Sequence, residues 1–208
     1  CLTDEKITIH NIPLISDLFI MIDIIKGLGG KVELHGHTVT IQVKRFATSS
    51  IPLDKAALIR ASTLFFGPLL ARTGEAIIPN PGGCRLGARP IDRTIEGISQ
   101  MNIDVVYHSE DGYFHAKGAV LKGTKYHFEK NTHTGTETMI LAAALASGTT
   151  ILTNAAEEPE IDDLINLEIR PETICIISLG DLIHVGPLGT TTKGTPIRFD
   201  CLNEELFE

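Results

Sequence analysis

A strand, turn, helix and hairpin recur in the same order three times along this chain, and that recurrence most limits what it can fold into. Lys6-Ile7-Thr8-Ile9-His10 reads as a strand ending at Asn11 and a Pro, after which Asp17 opens an apolar helical stretch. Ala76-Ile77-Ile78 is followed by Pro79-Asn80-Pro81, and Asp92 stands before another helical stretch. Thr150-Ile151-Leu152 leads to Asn154, Pro159 and the acidic pair Asp162-Asp163. The strand centres Ile7, Ile77 and Ile151 lie 70 and 74 residues apart. A second landmark keeps the same phase. Residues 31–34 and 38–43 flank Gly36, residues 105–107 and 113–116 flank Asp111-Gly112, and residues 174–177 and 182–185 flank Gly180-Asp181. Asp-Gly is a strong hairpin dipeptide. Any α/β chain shows some alternation by chance, but two landmarks in phase favour a true repeat. The expected fold is therefore α/β (α+β), with three pseudo-symmetric units over approximately residues 1–73, 74–146 and 147–208.

Apolar spacing places the helices. Leu18, Met21, Ile22, Ile25 and Leu28 recur at helical intervals, with Asp17 as the expected cap and Gly29-Gly30 as the stop. Residues 52–72 read as a second helix that Gly67-Pro68 should kink or break. Ile91, Ile95, Ile98 and Met101 stripe a third helix, with Pro90 near its first turn. Thr134-Gly135-Thr136-Glu137 has the form of a capping box ahead of residues 139–146, which Gly148 closes. The run Ala142–Ala146 has almost no polar position, so that helix should be buried.

Composition excludes several classes of protein. Hydrophobic residues make up 43% of the 208 and charged residues 21%, a soluble globular balance. Trp is absent and aromatics are 5%, so Ile, Leu, Val and Ala must fill the core. The net charge of −8, with no Lys/Arg run of five, argues against nucleic acid as a partner. Cys1, Cys84, Cys175 and Cys201 form no C-x-x-C pair, which argues against zinc and a disulfide framework. No run of eighteen apolar residues and no basic-then-apolar leader occurs, so no membrane partner is expected and the chain reads as cytoplasmic and reduced.

The segment Pro79-Asn80-Pro81-Gly82-Gly83-Cys84-Arg85-Leu86-Gly87-Ala88-Arg89-Pro90 is the least core-like stretch, because its glycines and prolines prevent a regular element. It carries one thiol and two arginines into a helix N-terminus, where free N–H groups and the dipole favour anions. The same field should lower the Cys84 pKa, which suits a proton donor or nucleophile. An incidental surface thiol on a turn explains this segment equally well. Cys175 sits in the strand-like Ile174-Cys175-Ile176-Ile177 and reads as a buried structural thiol; Cys1 and Cys201 carry no signal. Arg60, within apolar residues 56–62, either reaches solvent along its stem or, aimed at the Cys84 loop, adds a guanidinium for phosphate or carboxylate. Lys130-Asn131-Thr132-His133-Thr134-Gly135 joins a cation and hydroxyls to a helix start, which suits a phosphate or sugar, although such hydroxyls are usually caps. A turn explains His35-Gly36-His37 better than a metal site does, and Glu157-Glu158-Pro159-Glu160 reads as a solvated loop.

Taken together, Arg60-Ala61-Ser62, Gly67-Pro68-Leu69-Leu70-Ala71-Arg72, Pro81-Gly82-Gly83-Cys84 and Gly87-Ala88-Arg89-Pro90-Ile91-Asp92 resemble the UDP-N-acetylglucosamine 1-carboxyvinyltransferase family. Thr149-Thr150-Ile151, Asn154-Ala155-Ala156 and Glu158-Pro159-Glu160-Ile161 are similar to it as well, and the likeness runs from about Thr3 to about Val185. The resemblance implies lobes of three α/β units, helices inside and sheets outside. It implies transfer of the enolpyruvyl group of phosphoenolpyruvate to the 3-hydroxyl of UDP-N-acetylglucosamine, the first committed step of peptidoglycan synthesis, with no cofactor and no metal. Cys84 falls at the family's loop cysteine, the general acid that fosfomycin alkylates, and Arg89 falls at the arginine that holds phosphoenolpyruvate. Arg60, Arg89, Pro90, Ile91, Asp92 and Arg93 match positions facing the nucleotide sugar, and Lys130, Thr132 and His133 fall on a second such segment. His133 departs from the family, where that position is usually small and apolar.

Other departures are larger. The family's chain is roughly twice this length, and its second lobe supplies an Asp for the 3-hydroxyl proton and a further Arg. Its N-terminal Lys-Asn pair lies upstream of anything here, and Lys130-Asn131 falls in a different segment. Glu168-Ile169-Arg170-Pro171-Glu172 replaces an expected helix end and glycine, and residues 199–208 lack the crossing into a second lobe. The chain is thus expected to be a fragment, half of a split enzyme or a degenerate paralogue, incomplete without a second lobe. The rival reading is a non-catalytic paralogue that binds UDP-N-acetylglucosamine. The shikimate-pathway synthase of the same fold lacks an equivalent of the Pro-Gly-Gly-Cys loop.

Overall fold

Each repeat closes into a sheet because the strand ahead of its helix pairs with the far strand of the hairpin behind it. The computed structural model describes residues 1–82, 91–168, 174–179 and 182–187. In chain order the elements are β1 (Ile7–Ile9), α1 (Ser16–Gly27), β2 (Lys31–His35), β3 (Thr38–Gln42), α2 (Leu53–Ala56), a 3₁₀ helix (Arg60–Phe65), α3 (Phe66–Thr73) and β4 (Glu75–Pro79). They continue as α4 (Asp92–Gln100), β5 (Asp104–His108), β6 (Tyr113–Lys117), β7 (Lys125–His127), α5 (His133–Ala143), β8 (Thr150–Thr153), α6 (Pro159–Glu168), β9 (Ile174–Leu179) and β10 (Leu182–Pro187).

The sheets have the strand orders β1-β3-β2, β4-β6-β5 and β7-β8-β10-β9. Ile7 stands opposite Ile41, Ile77 opposite His115 and Ile151 opposite His184, always in antiparallel register. The three hairpins and the three leading strands thus lie where the repeat puts them. Asn11 and Asn154, just beyond β1 and β8, both take left-handed φ values of 58° and 53°. Asn tolerates that region better than most residues, so two of the three units leave the strand by the same turn. Gly180-Asp181, the expected third hairpin turn, lies outside the described residues. The third sheet holds an unanticipated strand, β7, which pairs in parallel with β8.

Helices fill the interior and the sheets face outward. Phe66, Leu69 and Leu70 of α3, Ile98 of α4, and Met139, Ile140, Ala142 and Ala143 of α5 are buried in one cluster with Phe128 and Ile78. Burying each large aliphatic or aromatic side chain contributes roughly 1.5–3 kcal/mol. The outer strands instead alternate, with Lys31, Glu33 and His35 of β2 exposed. α5 lies against α3, α4, α6 and the 3₁₀ helix, so it is the central rod of the fold. Its contact with α3 is close enough that a Cβ on Gly67 would stand 2.7 Å from the Ala142 amide nitrogen. Arg72 of α3 ties the first unit to this interior by donating to the carbonyls of Cys1, Thr3 and Lys44 at 2.9–3.1 Å.

Several element boundaries differ from the sequence expectation. α1 starts at Ser16 with Ile15 in the cap position, and Asp17 lies in the first turn, where its charge still favours the dipole. The α1 stop is as expected: Gly29 N–H donates to Lys26 O and Gly30 N–H to Ile25 O, a Schellman closure with Gly29 at φ 95°. The single helix expected over 52–72 is three pieces, and the break falls before Arg60, where Ile59 is extended (φ −137°, ψ 144°). A second seam, from 3₁₀ to α, falls at Phe65/Phe66 just ahead of Gly67-Pro68, which sits in the first turn of α3, where a missing proline N–H costs no hydrogen bond. α5 is capped by Thr132 rather than Thr134; Thr132 Oγ1 accepts from Gly135 N–H at 3.4 Å. Pro159 and Glu160, expected in a loop, form the exposed first turn of α6.

Candidate active site

Glycine is required where the Cys84 segment leaves β4. Gly82 N–H donates to Ala56 O at 3.1 Å, and a Cβ at Gly82 would fall 1.8 Å from Ala57 O. No side chain fits there, so the start of the segment is clamped to the end of α2. Asn80 N–H also donates to Gly112 O at 3.2 Å, tying the same segment to the β5–β6 hairpin. At its other end Ile91 is buried and its carbonyl accepts from Ile95 N–H, opening α4. Both anchors are fixed. Residues 83–90 between them, including Cys84, Arg85, Arg89 and Pro90, lie outside the described residues.

Two helix starts meet beside that second anchor. Thr94, in the first turn of α4, is buried, and its Oγ1 lies 3.2 Å from where a Cβ on Gly135 would stand. Gly135 belongs to the first turn of α5 and rests against its cap Thr132. The starts of α4 and α5 therefore lie against each other, although forty residues of chain separate Asp92 from Thr132. Asp92 is exposed and Arg93 half-buried, and Arg93 Nε is buried with no hydrogen-bond partner among the described residues. The backbone under Arg93 is held by Tyr126 of β7, whose hydroxyl donates to Arg93 O at 2.8 Å and lies 3.2 Å from Glu96 Oε2. Burial, and then the Glu96 carboxylate, push the Tyr126 phenol well above its ordinary value of 10.0, so it remains a donor.

The segment before α5 is fixed from the third unit. Asn131 Nδ2 donates to Ala155 O at 2.8 Å, and Thr136 Oγ1 accepts from Ala156 N–H at 3.0 Å. Lys130 stays exposed beside them. His133 turns along its own helix, with Nδ1 3.5 Å from Glu137 Oε2. Burial, with Glu160 and Glu158 adding to it, raises the Glu137 carboxyl above its ordinary value of 4.5 against the opposing pull of His133. Arg60 is the first residue of the 3₁₀ helix, half-buried, four residues beyond the Ala56 carbonyl that holds Gly82. That 3₁₀ helix, like α4, packs on α5.

Arg93 and Lys130 stand at the starts of α4 and α5, where free N–H groups and the helix dipoles favour an anion, while Asp92 and Glu137 oppose one. Tyr126 and Thr94, which help set this geometry, are not singled out by the sequence; Asn131 and Glu137 are, but only within the segment 130–135 and the capping-box pattern. Of the first two, only Tyr126 had a signal: Lys125, Tyr126, His127 and Phe128 alternate exposed and buried, the period of a strand.

A core of helices between three sheets, each built on a hairpin and a leading strand, defines an enolpyruvyl-transferase-type fold. The chain belongs to the family described as EPSP synthase (3-phosphoshikimate 1-carboxyvinyltransferase), whose profile matches residues 1–168. It is 46% identical over 165 residues to the UDP-N-acetylglucosamine 1-carboxyvinyltransferase 1 of Carboxydothermus hydrogenoformans, covering 79% of this chain and 39% of that protein. It is 43% identical over 167 residues to the UDP-N-acetylglucosamine 1-carboxyvinyltransferase of Acidobacterium capsulatum, covering 78% and 38%. The chain thus spans about two fifths of the length of these relatives. Among solved structures, the enolpyruvyl transferase NikO from Streptomyces tendae superposes with a TM-score of 0.74 at 18% identity, covering 90% of this chain and 44% of that one. EPSP synthase from Acinetobacter baumannii gives 0.68 at 18%, covering 89% and 42%. These two likenesses establish the fold.

Proposed function

We propose that this chain is the loop-bearing lobe of an enzyme that moves the enolpyruvyl group of phosphoenolpyruvate onto the 3-hydroxyl of UDP-N-acetylglucosamine. The 46% identity over 165 residues to a protein named for that reaction carries the reading. The paired helix starts bearing Arg93, Lys130 and Thr132 support it. The proposal takes residues 1–208 as one lobe with unit boundaries near 73 and 146. A second lobe, in the same gene or a separate chain, completes the site, and the place of work is the cytoplasm at the entry to peptidoglycan synthesis. No helix among the described residues is long and apolar enough to cross a membrane.

In this reading the 3-hydroxyl gives its proton to an Asp of the second lobe and its oxygen bonds to C2 of phosphoenolpyruvate, as the Cys84 thiol gives its proton to C3. The resulting tetrahedral adduct carries both carboxylate and phosphate. Loss of phosphate and of a C3 proton then leaves the enol ether. Arg89 faces the phosphoenolpyruvate anion, while Arg60, Pro90, Ile91, Asp92, Arg93, Lys130, Thr132 and His133 face the nucleotide sugar. Fixed cations near the adduct stabilise charge that a watery site would screen. The glycine-rich segment that bears Cys84 supplies the acid, and exclusion of water from the site strengthens it.

Calorimetric titration with UDP-N-acetylglucosamine tests the lobe, followed by a product assay with a candidate second lobe added. Binding should weaken about tenfold or more in Arg93→Ala and Lys130→Ala, as expected for the loss of a charge-assisted contact. Product should appear only in the mixture. A second reading, a binding module without catalysis, is favoured by the family match ending at residue 168, where the Glu168–Glu172 stretch departs from the family. Sugar binding with no product in any mixture would establish that reading, and absence of binding would contradict both.

A further inference from the structure

The tip of the β5–β6 hairpin gathers two imidazoles and a carboxylate on one solvent-facing side, outside the helix starts described above. His115 stands opposite Val106 in the ladder, which makes His108 its diagonal neighbour on the same face. The two rings stack with centroids 4.1 Å apart and planes 23° from parallel. Asp111, in the connecting turn, reaches back so that its Oδ2 lies 2.9 Å from His115 Nε2. One ligating atom from each of His108, Asp111 and His115 lies within 4.8 Å of the others.

The geometry points to a binding site for one divalent transition-metal ion of the zinc, nickel or copper kind, held by His108, Asp111 and His115. Two imidazole nitrogens and one carboxylate oxygen suit borderline-soft ions and are a poor set for magnesium or calcium. Donors bonded at about 2.0–2.2 Å to a tetrahedral centre stand roughly 3.3 Å apart. The His115–Asp111 pair must open slightly from 2.9 Å, and the widest pair must close from within 4.8 Å. Rotation of these side chains, two of them exposed, supplies such movements. The carboxylate is already oriented: Tyr113 N–H donates to Asp111 Oδ1 at 2.9 Å, leaving Oδ2 for the ion. A held outer oxygen is the usual second shell of a carboxylate ligand. Glu110, exposed in the same turn, adds negative charge beside the ion. The fourth position faces solvent, so water completes the coordination. Bound there, the ion joins both strands of the hairpin, and the Gly112 O that accepts from Asn80 N–H lies in the same turn.

A simple His–Asp ion pair uses the same residues, and the two readings differ in what a titration sees. Zinc should bind the Cys84→Ser chain, which lacks the loop thiol, at one equivalent. Affinity should fall at least tenfold in His108→Ala and in His115→Ala, and less in Asp111→Asn. Copper(II), used as a paramagnetic probe, should broaden the amide resonances of residues 106–115 before others. Zinc affinity unchanged in both histidine variants, or no binding at one equivalent, would overturn the assignment. Circular dichroism of each variant checks that the exposed substitutions leave the fold intact.

Discussion

At the scale of single residues, charge and burial compete most directly at Glu137. Desolvation outweighs the attraction of His133, so its carboxyl holds a proton more tightly in the folded chain than in the unfolded one. The stability this provides is full below the ordinary value of 4.5 and is lost as pH rises through the raised folded value. Above that, the half-buried carboxylate is a constant cost. Glu137→Gln removes the charge, so the variant should melt about 1–3 °C higher than the parent at neutral pH. The gap should shrink toward zero below the ordinary carboxyl value, and thermal scans from pH 4 to 8 read both ends. An equal gap at every pH would show that desolvation is not the cause. Tyr126 and Asn131 act through backbone carbonyls, so their side chains set where Arg93 and Lys130 stand. Such positioning contacts were not legible in the sequence, because each joins residues more than twenty positions apart.

At the scale of elements, helix spacing around α5 distinguishes two glycines. A Cβ at Gly67 would meet backbone of α5, the Ala142 nitrogen at 2.7 Å and the Leu141 carbonyl carbon at 2.8 Å. A Cβ at Gly97 would meet the Met139 thioether, Sδ at 2.7 Å and Cε at 3.1 Å, which can change rotamer. Gly67→Ala should therefore cost about 2–3 kcal/mol through overpacking, and Gly97→Ala clearly less. Chemical denaturation measures both, and equal losses would contradict a rigid α3–α5 contact. The hairpins, their leading strands and the burial of α5 could be read from periodicity and glycine placement alone. The interior segment over residues 52–72 could not be divided, since a helix apolar on most sides gives no face by which to see Ile59 turn extended. Thr132 and Thr134 offer the same hydroxyl to a helix start, and only the backbone geometry selects Thr132. β7 is three residues long and pairs in parallel, so neither length nor a local turn announced it.

At the scale of the molecule, three sheets, each built on a hairpin and a leading strand, surround helices, and the start of α4 packs against the start of α5. The threefold repeat and the site residues on α4 and α5 came from two different kinds of legibility. Periodicity revealed the repeat, while local chemistry left residues 79–90 and 130–135 open between a site and a plain turn or cap, and only the family likeness favoured the site. The clamp at Gly82 explains why the loop needs a glycine at that position, a constraint set by Ala57 O and invisible in the local sequence. In the proposed enzyme, Cys84 is an activated thiol that meets an anion site. Mass spectrometry of the purified chain after exposure to fosfomycin, and separately to phosphoenolpyruvate with UDP-N-acetylglucosamine, tests it most directly. The account predicts an adduct on the peptide containing Cys84, absent from Cys84→Ser, with Cys1, Cys175 and Cys201 unlabelled. No adduct on Cys84, or equal labelling of all four thiols, would contradict it.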